Sequence, residues 1–157
     1  MSDEAEHRIT LRQRHDYQFE IDFGGGRPAL LADEPPPLGE GAGPSPVHML
    51  LGAVGDCMSS SLLFALRKFK NDPGPITTEA HAHVGRNEAG RLRVLRMEVH
   101  LHLGRPAAEL QHMDRILGSF EAFCTVGESV RAGIPTEVAV YDADGTRLHS
   151  PSPRRPR

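Results

Sequence analysis

"LLGAVGDCMSSSLLFALRKF" (residues 50–69) decides the fold of this chain. Ser45 and Pro46, just before it, are typical of a helix start, with serine as the N-cap and proline at the first helical position. Apolar residues cover most of the circumference in the first half of the segment, which is typical of a helix at the centre of a protein. The sequence therefore predicts a central helix from Pro46 to about Lys70, with one thiol, Cys57, near its middle.

Alternating apolar and polar residues predict strands on both sides of this helix. Before it, residues 9–14 and 17–23 form two strands, and a third resumes at RPALLAD (27–33). After it, residues 77–86 and 91–103 form a hairpin around the turn NEAG. The central helix is therefore expected to be flanked by strands from two separate parts of the chain.

Two further helices and a last strand are predicted in the C-terminal third. A second amphipathic helix begins at Gly104–Pro106 and carries a stripe of apolar residues as far as Phe120. A short helix follows, with Thr125 and Glu128 as a capping box, and EVAVYDADG (137–145) forms the last strand and turn. Because strands and helices are segregated rather than strictly alternating, the predicted fold class is α+β.

Length and charge narrow the possible functions. The chain has 157 residues and a formal net charge of −3, which is too small to indicate a nucleic-acid partner. The charged residues 1–8 do not resemble a secretory signal, and no apolar run approaches the ~20 residues that span a bilayer. We expect a cytoplasmic protein without membrane contact. We also expect a flexible N-terminus at 1–8, a single domain at 9–147, and a flexible basic Pro/Ser tail at 148–157.

The only two cysteines, Cys57 and Cys124, are candidates for redox chemistry. Cys57 is surrounded by glycine, alanine and serine, which leave room for another segment or a ligand beside its sulfur, although free cysteine also serves as a small buried apolar residue. Cys124 precedes the proposed N-cap Thr125, and the positive end of a helix dipole favours thiolate. Packing against Phe120 and Phe123 is the alternative role for Cys124.

Four histidines alternate along the predicted hairpin: His81, His83, His100 and His102. Residues two apart on a strand share a face, so a metal cluster is conceivable. Pairing across NEAG, however, places the first two opposite Arg96 and Val94, and leaves the other two near residues 75–77. No Cys/His spacing of the structural zinc type is present. We therefore predict a solvated polar face and no metal.

Three segments together resemble the OsmC/Ohr family, the osmotically inducible and organic-hydroperoxide-resistance proteins. They are PPPLGEGAGPSPVHMLLGAVGDCM (35–58), the hairpin RNEAGRLRVLRMEVHLHLG (86–104) and FEAFCTVGESV (120–130). The resemblance covers residues 9 to about 145. It implies an α+β fold in which antiparallel sheets wrap around two central helices in an intertwined homodimer, with two equivalent sites at the dimer interface.

The resemblance also implies roles for individual residues. Cys57 corresponds to the peroxidatic cysteine of the family and Cys124 to the resolving one. The family also uses an arginine from the N-terminal hairpin, which holds the thiolate and binds the peroxide. Arg14 is the first candidate for this arginine, and Arg12 and Arg27 are the next candidates.

The glutamate of the family site is missing from this chain. In the family it lies just after the proline that starts the central helix, where this chain has Val47 and His48. These two residues are therefore expected to line the substrate pocket. His48 could accept a hydrogen bond from the arginine but cannot form the usual ion pair with it.

The function that the resemblance implies is a cysteine-based thiol peroxidase. It would reduce organic hydroperoxides, and inorganic ones less well, through a Cys57–Cys124 sulfenic acid and disulfide cycle in oxidative stress defence. The implied partners are a second copy of the chain, a small hydroperoxide and an external dithiol reductant, with no metal or organic cofactor. The alternative is a non-catalytic dimer that binds a small apolar or thiol ligand in its interface cleft.

Overall fold

The computed structural model describes residues 4–150. The chain divides into two compact units, residues 1–50 and 51–157, and each is described by itself. Residues 1–3 and 151–157, which belong to the segments predicted as flexible ends, lie outside the described residues. The predicted domain limits stay a prediction.

The first unit contains a three-stranded antiparallel sheet, in the order β1-β2-β3. Its strands are β1 (Thr10–His15), β2 (Gln18–Asp22) and β3 (Leu30–Ala32). The buried carboxylate of Asp33 follows β3 and accepts hydrogen bonds from the backbone N–H groups of Glu34, Glu40 and Ala42. These bonds, with that from Ala42 the largest, hold the pKa of Asp33 below its ordinary value. Asp33 therefore organises the proline- and glycine-rich loop that leads to the central helix.

The central helix α1 spans Pro46–Lys68, two residues shorter than predicted. The predicted start is confirmed, since Ser45 Oγ accepts a hydrogen bond from the backbone N–H of His48 at 3.4 Å. Lys70 adopts a left-handed conformation, with a φ of 61°. The Asn71 N–H donates to the Leu66 carbonyl and the Lys70 N–H to the Arg67 carbonyl. This is a Schellman motif, which ends the helix before Lys70.

The helix α1 is also long and apolar enough, by length and composition, to cross a membrane. This differs from the expectation that no apolar run reaches that length, because the glycine and serine residues of the segment are small and uncharged. The central helix of a water-soluble protein passes the same test, and several residues of α1 are buried: Val54, Gly55, Met58, Ser61, Leu62, Ala65 and Leu66. The absence of membrane contact stays a prediction.

The second unit contains a four-stranded sheet, in the order β4-β5-β6-β7. Its strands are β4 (Thr77–Arg86), β5 (Leu92–His102), β6 (Thr136–Tyr141) and β7 (Arg147–His149). The β5–β6 pair is parallel and the other pairs are antiparallel, so the sheet departs from the expected antiparallel pairing at one pair. The short helices between β5 and β6 carry the chain back to the start of the sheet, and such a crossover makes the two strands parallel. The strand β7 includes two residues of the predicted C-terminal tail.

The predicted second amphipathic helix is broken into short pieces. The segment forms a 3₁₀ turn at Ala107–Glu109, α2 at Met113–Leu117 and a second 3₁₀ turn at Phe120–Phe123, before α3 at Thr125–Arg131. His112, with a φ of 59°, interrupts the helical path. The apolar stripe nevertheless contributes to the core of this unit, together with α1 and the strands: Val54, Met58, Leu62, Leu66, Met97, Val99, Leu101, Ile116, Phe120, Val138 and Val140.

The register of the β4–β5 hairpin differs by two residues from the predicted one. His81 pairs with Glu98 rather than Arg96, and His83 pairs with Arg96. One residue of this shift comes from the turn, where the Asn87 N–H donates to the Arg91 carbonyl. The other comes from a bulge after His83, which inserts one extra residue into the ladder. The shift brings the histidines of the two strands closer together than predicted.

Candidate functional site

Cys57 lies in the middle of α1 and is half buried. The helix is fastened to β4 on either side of it, because Gly55 packs against Thr78 and Ala80, and Ser59 Oγ lies 2.6 Å from Thr78 Oγ1. Small residues allow this close approach between helix and strand. Cys57 is thus carried by a helix that is packed closely against β4 on both sides of it.

Cys124 is fully buried and is the N-cap of α3. Its sulfur accepts a hydrogen bond from the backbone N–H of Gly127 at 3.2 Å. The prediction that Thr125 caps this helix is therefore wrong by one residue. The thiol takes the place usually held by a serine or aspartate oxygen, since any acceptor at this position satisfies a free N–H of the first turn.

Gly127 allows α3 to approach α1 closely. A Cβ atom at this position would lie 2.7 Å from Cys124 Sγ and 2.9 Å from Met58 Cε, and both distances are shorter than real contacts. Met58 is the residue after Cys57 on α1. Gly127 is thus needed for the position of Cys124, a role that the sequence analysis missed because a glycine inside a short helix has no pattern of its own.

Both thiols are free, and Cys57 is a neighbour of Cys124 that influences its titration. Burial, followed by the interaction with Cys57, raises the pKa of Cys124 to about 11, while Gly127 and Ser61 act in the opposite direction. The expectation that the helix dipole favours a thiolate at Cys124 is therefore wrong, because removal from water outweighs the dipole. At neutral pH the Cys124 thiol is therefore protonated.

The three candidate arginines all belong to the first unit, and each has a partner there. Arg14 forms an ion pair with Glu20 across the β1–β2 hairpin. Arg12 lies 3.6 Å from Asp22, and Arg27 Nη1 donates to the Gly24 carbonyl at 3.0 Å. The assignment of Arg14 to the site of Cys57, which belongs to the second unit, stays a prediction.

His48 has a structural role at the start of α1. Its Nδ1 accepts a hydrogen bond from the Ser45 N–H at 3.2 Å and lies 3.0 Å from Ser45 Oγ. Together with the bond from the His48 N–H to Ser45 Oγ, this forms a capping box in which histidine replaces the usual glutamate. Val47, beside it, is half buried. Their assignment to a substrate pocket stays a prediction.

A largely buried ion-pair network, which the sequence analysis missed, surrounds the segment that carries Cys124. Arg131 Nη1 lies 2.8 Å from carboxylate oxygens of both Glu121 and Glu128. His149 Nε2, on β7, lies 2.8 Å from Glu121 Oε1. The network ties the 3₁₀ turn before Cys124, the helix after it and the last strand to one another. Only the i, i+3 spacing of Glu128 and Arg131 could have indicated it in advance.

The model of the OsmC-like protein family matches residues 39–139, which include Cys57, Cys124 and the hairpin between them. The chain belongs to the OsmC family. The predicted family membership is thereby confirmed. No curated protein sequence matches the chain.

Solved structures of OsmC-family proteins share this fold at low sequence identity. An OsmC-like protein of unknown function from Vibrio cholerae is 18% identical, with a TM-score of 0.71 over 86% of this chain and 99% of its own. An OsmC-like protein from Mycoplasma pneumoniae is 13% identical, with a TM-score of 0.73 over 90% and 99%. An organic hydroperoxide resistance protein from Elizabethkingia anophelis is 16% identical, with a TM-score of 0.69 over 88% and 98%. The predicted OsmC/Ohr-like α+β fold is confirmed.

Proposed function

We propose that this protein is a thiol peroxidase that reduces organic hydroperoxides, with Cys57 as the peroxidatic and Cys124 as the resolving cysteine. The observation that carries the proposal is the packing of α3, which begins at the fully buried Cys124, against α1 at Met58, the residue after the half-buried Cys57. The hydroperoxide resistance protein of Elizabethkingia anophelis, with the same fold, supports this class of substrate.

The first step oxidises Cys57 and reduces the peroxide. The Cys57 thiolate attacks the terminal oxygen of the hydroperoxide, the O–O bond breaks, and the alkoxide takes a proton and leaves as an alcohol. Cys57 becomes a sulfenic acid.

The second step forms a disulfide. Cys124 attacks the sulfenic acid sulfur of Cys57, and the thiol proton of Cys124 leaves with the sulfenic hydroxyl as water. An external dithiol then reduces the disulfide by exchange and restores both thiols. The packing of α3 against α1 beside Cys57 supports this step, because it holds Cys124 close to the helix that carries Cys57.

The remaining parts of the proposal extend beyond the two thiols. Arg14, with Arg12 and Arg27 as alternatives, supplies the cation that binds the peroxide, and Val47 and His48 line the pocket. The protein acts as a cytoplasmic homodimer in oxidative stress defence. Two aromatic residues support the dimer: Phe64 on α1 and Phe123 are each about 60% exposed, and their ring centroids lie 6.4 Å apart.

Single replacements of the two cysteines test the mechanism. Cys57→Ser should abolish consumption of cumene hydroperoxide. Cys124→Ser should allow one turnover and leave a sulfenic acid at Cys57 that a dimedone-type probe captures. Ser60→Ala, on the exposed side of α1, is the control and should retain activity. Equal activity in all variants would refute the mechanism.

A second candidate is a non-catalytic dimer that binds a small apolar or thiol ligand. A cavity of about 400 Å³ between α1 and β4 favours it, with Leu51, Gly52, Asp56, Ile76 and Ala80 in its lining. The missing family glutamate favours it as well. If it is correct, peroxide leaves both thiols reduced, and Gly52→Leu, which fills the cavity, abolishes binding of a small apolar fluorescent probe.

A further inference from the structure

Three side chains with metal-binding atoms meet on one face of the second sheet. The ligand atoms of Glu79, His81 and His100 all lie within 4.8 Å of one another. Glu79 and His81 are two residues apart on β4 and share a face, and Glu79 pairs directly with His100 on β5. Ala80, between the first two, packs against Gly55 of α1. The cluster therefore lies on the face of the sheet that points away from α1.

Within residues 4–150, none of these three side chains is held by a side-chain hydrogen bond. A carboxylate oxygen of Glu79 lies 3.9 Å from His102 Nε2. His100 Nε2 lies 3.9 Å from a carboxylate oxygen of Glu98. Both distances are too long for a hydrogen bond. His83 on the same strand differs, because it lies 3.0 Å from Glu98 and 3.2 Å from Arg96. The carboxylate and the two imidazoles of the cluster are thus available to a ligand, whereas His83 is already occupied.

The donor set indicates the class of metal. Two imidazole nitrogens and one carboxylate oxygen suit zinc and similar divalent transition metals, whereas calcium and magnesium prefer all-oxygen sites. Ligand atoms about 2 Å from a shared zinc ion lie roughly 3 to 4 Å apart. The present separations of up to 4.8 Å are close to that range, and the exposed side chains of Glu79 and His81 have room to rotate. Three protein ligands leave a fourth position for water.

The surroundings of the cluster add negative charge and a further imidazole. Glu98 is held in an ion pair with Arg96, and one of its carboxylate oxygens lies 3.9 Å from His100 Nε2. His102 is stacked on Tyr141 with ring centroids 4.9 Å apart, and its Nε2 is buried without a hydrogen-bond partner within residues 4–150. That nitrogen faces Glu79 and is placed to orient the carboxylate or to replace the water as a ligand.

We propose that Glu79, His81 and His100 bind one zinc ion on this face of the sheet. The site does not involve the two cysteines and is independent of the proposed peroxidase activity. It departs from the sequence-based prediction of no metal, and the two-residue change of register is the reason. With the predicted register His100 would pair with Thr77 instead of Glu79, and the three ligands would not meet.

Competition with a chromophoric zinc chelator tests the proposal on the reduced full-length chain. One zinc ion should bind per chain. His81→Ala and His100→Ala should each weaken binding at least about tenfold, and Glu79→Gln, which keeps the shape of the side chain, should weaken it as well. The matched control is His83→Ala, on the same strand and face, which should bind as the unchanged chain does. Thermal unfolding without metal checks that each variant is folded.

Cobalt spectroscopy separates this site from zinc binding by the thiols. Cobalt bound to nitrogen and oxygen ligands gives visible d–d bands, whereas thiolate ligands add intense charge-transfer bands in the near ultraviolet. The proposal predicts visible bands without thiolate charge transfer, and their loss in His81→Ala. Three results would overturn it: no stoichiometric metal binding, a thiolate spectrum, or an equal loss of affinity in His83→Ala.

Discussion

At the scale of single residues, the two thiols differ in burial and in hydrogen bonding. Cys57 is half buried, while Cys124 is completely buried and accepts a backbone hydrogen bond from Gly127. Desolvation is the largest influence on Cys124, since a thiolate loses its hydration inside the protein. The consequence is a thiol that stays protonated above neutral pH and that gives up its proton only when it attacks the sulfenic acid in the proposed cycle.

The raised pKa of Cys124 predicts a loss of stability at alkaline pH. The pKa is 9.0 in the unfolded chain and about 11 in the folded one, so the folded state binds this proton more tightly. The stabilisation is complete below pH 9 and disappears as the pH rises through 11. The free energy of unfolding falls by about 2 to 3 kcal/mol through this titration. Urea unfolding of the reduced protein between pH 8 and pH 11 measures it.

Cys124→Ala serves as the control for this pH dependence. The variant is less stable at every pH because the Gly127 N–H loses its acceptor. As the pH rises from 8 to 11, the free energy of unfolding of this variant should nevertheless fall by about 2 to 3 kcal/mol less than that of the unchanged chain. Lysine and tyrosine titrate equally in both proteins. Parallel curves for the two proteins would contradict the assigned pKa.

At the scale of elements, local signals predicted α1 well and the segment before α3 poorly. Ser45 and Pro46 determine the start of α1 through backbone capping, which is a property of neighbouring residues. The cap of α3 depends instead on how deeply Cys124 is buried, which tertiary packing decides. The hairpin register depends on a bulge after His83, and strict alternation of residues does not reveal a single inserted residue.

Gly127→Ala tests the close approach of α3 to α1. The added Cβ would overlap Cys124 Sγ and Met58 Cε, so the variant should be destabilised by about 1 to 3 kcal/mol. The displaced cap should also make Cys124 react faster with iodoacetamide under native conditions. Chemical denaturation and peptide mass spectrometry measure the two effects.

Gly133→Ala is the matched control, because a Cβ there has no heavy atom within 4 Å. It should leave stability unchanged or raise it by up to about 1 kcal/mol, since alanine restricts the unfolded chain. If the two variants behave alike, the contact of Gly127 with the sulfur is not important for stability.

At the scale of the whole molecule, the fold class and the family could be predicted from the sequence, whereas the last strand, β7, and the break-up of the second amphipathic helix could not. The long apolar helix with a central cysteine, the hairpin and the second cysteine follow one another in a recognisable order. The placement of Cys124 as a neighbour of Cys57 could not be derived from the residues alone, because the two lie far apart in the chain, on α1 and before α3. The resemblance implied it, and the packing around Gly127 explains it.

The proposed homodimer predicts a particle of twice 17.2 kDa. Exposed Phe64 and Phe123 are expected to be covered in the dimer, since adjacent exposed aromatic residues mark interfaces more often than free surface. Light scattering coupled to size exclusion measures the mass. Phe64→Glu should shift the equilibrium towards monomer, while Leu92→Glu, an equally exposed position on β5, should not. A monomeric unchanged chain would contradict the prediction.

The central claim is that Cys57 and Cys124 form a redox pair, and intact-protein mass spectrometry tests it most directly. The reduced chain is treated with one equivalent of cumene hydroperoxide for seconds, then alkylated and weighed. We predict a mass lower by two hydrogen atoms with neither thiol alkylated, which is the signature of the Cys57–Cys124 disulfide. A chain of unchanged mass, whose thiols alkylate under denaturing conditions as before, would contradict the claim.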